Sequence, residues 1–382
     1  MNNFFKLYIK RISYALTNNC NLFCKHCFQN ANNRHIKQLD IEDAILATKF
    51  VINNNTNPDK DIEITLIGGE PMLYNNFKGL KKCFELLFNN GYTIKILRIF
   101  TNGTMYPKEL KELLEYISNN GFKDKIHFYL TKDFLEDKPT RINTENKSSN
   151  KVIDKVKEEI LKDGYHCNIQ YIFTKLDVKN YKEILNEIYK DETIKLDYGY
   201  PEKNNLTYDD FNYMLDCLYE FIKEKNVNLD FLYRCGMNIL GDIMLKNDFY
   251  NNKEDTILCD PIKGEFTISP KGYVIPCIKL LEKEERYSNL TIKNIVNNPD
   301  LLFKNKELLK LVNYENTNFE GIKCNDCIMK SYCVPCRLFP TLINLEQEEH
   351  INHPKEKCER VFALCNAILK KLKEEKWLEL KF

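Results

Sequence analysis

Apolar and polar positions in the first half of the chain follow two alternating periods. Residues 7–16 form an apolar run that reads as a strand. In 40–53, Ile41, Ala44, Ile45, Thr48 and Val51 fall at helical spacing behind Asp40, a suitable N-cap. Strand-like alternation then returns at 61–67, 94–100, 125–130 and 166–173, and helical spacing at 77–88, 109–117, 152–161 and 181–189. This order predicts βαβ units and a parallel sheet, an α/β fold in which sites gather at the C-terminal ends of strands.

Three of those ends carry distinctive residues. The strand at 61–67 runs into Gly68, Gly69, Glu70 and Pro71, that at 94–100 into Thr101, Asn102, Gly103 and Thr104, and that at 125–130 into Thr131, Lys132 and Asp133. The paired glycines let the backbone approach a ligand and present carbonyls. With the Glu70 carboxylate they suit a primary ammonium, which offers three donors and no acceptor; a plain turn with a charged tip is the alternative. Asn102 suits ribose hydroxyls at the same mouth. Residues 134–150 are long, polar and aperiodic, as in a lid or a mobile loop.

The first strand is followed by TNNCNLFCKHCFQN, which sets Cys20, Cys24 and Cys27 in a CxxxCxxC array. Three thiolates on one short loop can each take a corner of a cubane iron–sulfur cluster, leaving the fourth iron open. Zinc sites usually pair CxxC motifs and need four ligands; the next cysteine here is Cys83, inside a helical pattern, and His26 is the one rival ligand.

Composition narrows the setting. The chain has 382 residues, 43% hydrophobic, with 56 Lys and Arg against 55 Asp and Glu, an ordinary globular balance that points to no nucleic-acid partner. No apolar stretch approaches the ~20 residues that span a bilayer, and the N-terminus lacks a signal-peptide pattern. The expected setting is therefore cytoplasmic, where clustered cysteines are metal ligands rather than disulfides.

The array resembles the cluster motif of the radical S-adenosylmethionine (SAM) enzymes, with His26 in the aromatic position before the last cysteine. Gly68, Gly69, Glu70 and Pro71 resemble the family segment that holds the SAM amino group, and Asn102 its ribose side. Thr131 stands where many relatives have a serine; that serine and a downstream arginine serve the SAM carboxylate, which makes Thr131 and Arg141 candidates. A solvated loop arginine is the alternative for Arg141. The resemblance implies a partial (β/α)6 TIM-like barrel over residues 1–200, a helical linker over 201–256, and a small Cys-rich extension over 257–382.

That last region reads independently as cysteine-dense. Residues 265–275 suggest a hairpin turning at 269–272. Seven thiols exceed one tetrahedral site, and zinc-ribbon pairs are one reading. The order of Cys259, Gly272, Cys277, Cys324, Cys327, Cys333, Cys336 and Cys358 resembles the SPASM extension, which carries two auxiliary 4Fe–4S clusters. The resemblance gives Cys259, Cys277 and Cys336 to the inner cluster and Cys324, Cys327, Cys333 and Cys358 to the outer one. Cys235 is either a further inner ligand or a thiol without a role. Cys83, Cys167, Cys217 and Cys365 lie in apolar runs and read as core.

By this resemblance the protein binds SAM and three 4Fe–4S clusters. It forms a 5′-deoxyadenosyl radical and takes a hydrogen atom from a Cys-containing peptide or protein, joining a thioether or other cross-link. A flavodoxin or ferredoxin would supply electrons. The cluster loop comes too early for a leader-binding domain before it, so a separate recognition protein is expected. Alternatives are an anaerobic sulfatase-maturing enzyme and a small-molecule dehydrogenase. Sulfatase-maturing enzymes carry an aspartate where this chain has Ile278. A cluster protein without catalysis would lack the SAM-binding strand ends.

Overall fold

The computed structural model describes residues 7–24, 27, 31, 36–134, 141–143, 147–198, 206–237, 240–241, 264–306, 308, 322, 355–374 and 377. In chain order the strands are β1 (Arg11–Thr17), β2 (Phe23–Cys24), β3 (Asp61–Gly68), β4 (Thr93–Thr101), β5 (Ile126–Lys132), β6 (Arg141–Ile142), β7 (His166–Phe173), β8 (Ile194–Tyr198), β9 (Glu265–Ile268) and β10 (Val274–Ile275). Between them run α1 (Ile41–Asn54), α2 (Phe77–Asn89), α3 (Lys108–Ile117), α4 (Asn150–Lys162), α5 (Tyr181–Lys190), α6 (Tyr208–Glu224) and α7 (Leu229–Arg234). Two compact units interleave along the chain. One takes Met1–Lys132, Thr140–Asn168 and Cys259–Asn313, and the other Asp133–Pro139, Ile169–Leu258 and Tyr314–Phe382.

In the first unit β1, β3, β4 and β5 lie side by side and parallel, as the alternating periods predict. The first strand begins at Arg11, later than the apolar run suggests. Leu7 is instead held where α1 ends, donating to Asn54 O at 3.3 Å and accepting from Thr56 N at 2.8 Å. Asp40 caps α1 by accepting from Glu42 N at 2.8 Å.

One face of the sheet packs on helices. Ile12, Tyr14, Leu66, Leu97, Ile99 and Phe128 are buried, as are Phe50 and Val51 of α1 and Leu80, Cys83 and Phe84 of α2. Each large apolar side chain buried in this way contributes about 1.5–3 kcal/mol before entropy is counted. Tyr14 Oη meets Thr48 Oγ1 of α1 at 2.8 Å, which satisfies both hydroxyls in the core.

The opposite face is polar. Glu63 Oε2 sits 2.6 Å from Arg11 Nη2 and 2.6 Å from Arg98 Nη1. Burial opposes ionisation of Glu63, but the hydrogen bonds and charges of Arg98 and Arg11 prevail and hold its carboxyl below the usual range. Ser13 Oγ donates to Glu265 Oε1 at 2.9 Å, carrying the network onto β9. Two residues beyond Arg98, the Phe100 ring stacks on Tyr129 at 4.9 Å.

The hairpin at 265–275 forms with its turn where expected, and Gly272 N donates to Ser269 O at 2.9 Å. β9 pairs in parallel with β1, Arg11 beside Glu265 and Tyr14 beside Ile268, so the hairpin extends the main sheet past β1. An edge strand buried as β1 is needs a partner for its backbone groups, and β9 supplies it. Gly272 has φ +75°, and a methyl group there would run into the Asp43 carboxylate of α1. Gly272→Ala is therefore expected to destabilise this unit by about 1–3 kcal/mol, read as a lower urea midpoint; an unchanged midpoint would refute the packing.

In the second unit, residues 169–173 of β7 pair in parallel with β8. Arg234, buried at the end of α7, donates from Nη1 to Ile188 O at 2.5 Å and Asp191 O at 3.2 Å, closing the C-terminal end of α5. The helix Lys355–Lys373 packs on α6, where Lys371 Nζ lies 2.6 Å from Asp216 Oδ1. Cys83, Cys167, Cys217 and Cys365 are all buried, as their apolar surroundings predict. Among the described residues no helix is long and apolar enough to cross a membrane.

Candidate functional site

β1 and β3 end beside each other, and their exit loops stay in register. Gly69 N donates to Thr17 O at 2.7 Å, and Glu70 N to Asn19 O at 2.7 Å, one residue before Cys20. A methyl on Gly68 would run into Thr17 O, and one on Gly69 into Asn19 O; Gly68 also has φ +151°. The close approach these glycines allow is to the cysteine loop itself. Pro71 then opens a short 3-10 turn, Pro71–Leu73.

Glu70 differs from its expected use. Its side chain is fully buried, and both oxygens are taken by protein donors. Oε1 accepts from Thr101 Oγ1 at 2.6 Å and Met72 N at 2.9 Å, and Oε2 from Asn102 N at 2.6 Å. Burial raises its carboxyl above the ordinary value, against the pull of these donors and of the Arg141 charge. As placed, the carboxylate joins the ends of β3 and β4 and is not turned toward an outside ammonium.

Asn102 is oriented on both sides of its amide. Oδ1 accepts from Thr104 N at 3.0 Å and Thr104 Oγ1 at 2.7 Å. Nδ2 donates to Asn21 Oδ1 at 2.7 Å and points at Cys20 Sγ at 3.7 Å. Asn21 Nδ2 returns a bond to Thr104 Oγ1 at 2.8 Å. The sequence alone assigns no role to Asn21, Thr101 or Thr104, although all three lie inside or beside the motifs. The adjacency of polar residues in NNCN and TNGT was the available signal.

The three array cysteines are partly exposed on this loop. Burial pushes the Cys20 thiol up to about 12, against the hydrogen bond from Leu22 N. Cys24 lies on β2, paired with β6 so that it faces Arg141, and Cys27 N donates to Cys24 O at 3.1 Å. Among the described residues no three His, Cys, Asp or Glu side chains are gathered closely enough to hold a metal ion. The donor set nonetheless fits an iron–sulfur cluster: three soft thiolates on one loop, an amide N–H aimed at one of them, and a glycine cradle behind.

Arg141 is buried on β6, which overturns its reading as a solvated loop residue, while Thr131 is half-buried at the end of β5. The aperiodic stretch at 134–150 thus contributes a short strand against the cysteine loop. Cys277 is buried two residues past β10 in the first unit. Cys358, on the helix Lys355–Lys373, and Cys235, just after α7, are buried in the second. Burial also pushes the Cys235 thiol well up. His26, Cys259, Cys324, Cys327, Cys333 and Cys336 lie outside the described residues.

Residues 14–196 match the family described as the Radical SAM superfamily. The uncharacterized protein MJ0907 of Methanocaldococcus jannaschii is 32% identical over 103 residues, 27% of this chain and 33% of that protein. The match thus spans about a third of that relative's length. Native anSMEcpe with bound AdoMet and Cp18Cys peptide is similar over 96% of this chain and 98% of its own, with TM-score 0.66 and 16% identity. Streptococcus suis SuiB bound to precursor peptide SuiA is similar over 92% of this chain and 76% of its own, with TM-score 0.59 and 17% identity. At these identities the likeness is one of fold.

Proposed function

We propose, from the match of residues 14–196 to the Radical SAM superfamily, that the chain is a radical SAM enzyme that modifies a peptide. The observation that carries the proposal is the meeting of the Cys20 loop, the Gly68–Gly69 backbone and the Asn102 amide at adjoining strand ends. Cys20, Cys24 and Cys27 would hold a 4Fe–4S cluster, with His26 beside them. The backbone at Gly68 and Gly69, the β4 end at Asn102, Thr131 and Arg141 would bind SAM. When bound, cluster and SAM supply one-electron chemistry that ends in hydrogen-atom abstraction from the substrate.

The protein's own part is placement. Asn102 directs an N–H at Cys20 Sγ, the glycines keep the loop pressed against β3, and Arg141 brings a positive charge beside Cys24. Cys259, Cys277 and Cys336, and Cys324, Cys327, Cys333 and Cys358, would hold two further clusters that accept electrons from an oxidised substrate, with Cys235 as a candidate extra ligand. A peptide substrate is supported by the two similar folds, each of which carries a bound peptide. A thioether or other cross-link is the reaction we favour, with a flavodoxin- or ferredoxin-type reductant and a separate leader-recognition protein as partners. A formylglycine-forming reaction is the second reading; Ile278, at the start of the turn after Cys277, offers no carboxylate for it.

The test is anaerobic reconstitution with iron and sulfide, then dithionite, SAM and short Cys-rich peptides encoded beside the gene. Deoxyadenosine formed together with a peptide that loses two hydrogen atoms per linkage is the expected result. Deoxyadenosine with every such peptide unchanged would keep the radical SAM reading and overturn the cross-linking one. No deoxyadenosine under any condition would overturn both.

A further inference from the structure

We propose that Glu70 is a positioning residue that sets the environment of Cys20 through Asn102. The role rests on the radical SAM reading above and differs from direct contact with SAM. Three donors converge on its buried carboxylate: Thr101 Oγ1, Met72 N and Asn102 N. They come from two segments, the turn after β3 and the end of β4, so the carboxylate fixes one against the other. Thr101 Oγ1 in turn accepts from Gly103 N at 3.0 Å, which extends the hold into the TNGT turn. Pinned at its backbone by Glu70 and at its Oδ1 by Thr104, Asn102 is left with its Nδ2 donors, which go to Asn21 and Cys20. The chain of contacts is therefore Glu70 to Asn102 to Cys20 Sγ.

A donor aimed at a cluster thiolate stabilises the reduced, more negative state of the cluster, so its loss lowers the reduction potential. Glutamine in place of Glu70 keeps the shape but replaces one acceptor oxygen with a donor. Whichever way the amide turns, one backbone N–H, of Asn102 or of Met72, then faces an NH2 group. The effect should reach Cys20 without SAM being present, which separates this role from that of an ammonium ligand.

The experiment compares wild type, E70Q, N102A and E70Q/N102A after anaerobic reconstitution. The readout is the midpoint potential, without SAM, of the reduced-cluster EPR signal that the C20A/C24A/C27A variant lacks. Both single variants are expected to lower that potential, and the double variant to lie no lower than the lower single one. An E70Q potential equal to wild type, with only the KM for SAM raised, would make Glu70 a direct ligand and sink the proposal. Should E70Q fail to fold, T101V keeps the carboxylate and removes one donor. It must then shift the potential in the same direction, and an unmoved value overturns the role. A wild type with no such signal defeats the radical SAM reading itself, whereas a normal wild-type signal beside an unmoved E70Q defeats only the positioning role.

Discussion

Replacing Cys20, Cys24 and Cys27 together by alanine is expected to abolish reductive SAM cleavage, leaving deoxyadenosine at the level of a protein-free blank. On the proposed reading of three cubane clusters with four irons each, the same variant should lose about 4 of about 12 irons per chain. The fold should persist, because the loop is anchored by its backbone. Gly69 N binds Thr17 O, Glu70 N binds Asn19 O, and Asn18 N binds Lys37 O at 3.1 Å, none of which needs a thiol. Half-buried cysteines on a loop also remove little apolar surface when truncated. Iron analysis and a urea melt check the two halves of this expectation separately. Deoxyadenosine at the wild-type rate would defeat the assignment of the site, and a collapsed urea transition would show that the thiols themselves hold the loop.

The second large effect belongs to the glycine cradle. Gly68→Ala and Gly69→Ala each place a methyl against a backbone carbonyl oxygen, Thr17 O in one case and Asn19 O in the other. Neither oxygen can turn aside, since Thr17 O accepts from Gly69 N and Asn19 O from Glu70 N. At Gly68 the φ of +151° adds backbone strain that an L side chain cannot relieve. A loss of about 3 kcal/mol or more is expected for Gly68→Ala, toward the upper end for overpacking, and somewhat less for Gly69→Ala. Urea unfolding reads the stability, and SAM affinity should fall in both variants because the loop is displaced from β3. A variant that keeps wild-type stability but loses SAM affinity would instead place the ligand, and not the cysteine loop, against these glycines.

Much of this architecture was legible in the chain alone. Period and capping residues are local properties, so α1 behind Asp40 and the strands at β3, β4, β5 and β7 could be placed before any contact was known. Glycine, proline and cysteine act through backbone freedom and donor chemistry, which is why the CxxxCxxC, GGEP and TNG segments stood out from their neighbours. The burial of Cys83, Cys167, Cys217 and Cys365 followed from their apolar runs in the same way.

What the sequence determined, then, was the order of elements and which loops carry chemistry. Tertiary structure decided which groups those loops spend on one another. Glu70 reads as a carboxylate for an ammonium until Thr101 and Asn102, about thirty residues away, are seen to fill its oxygens. For Arg141 a solvated loop position stays open as the alternative until β6 is paired with β2. The hairpin at β9 and β10 reads as part of a separate extension until β9 is found beside β1, some 250 residues earlier. The physical reason is common to all three. A buried carboxylate, guanidinium or strand edge must find partners, and no local pattern records which distant residue supplies them.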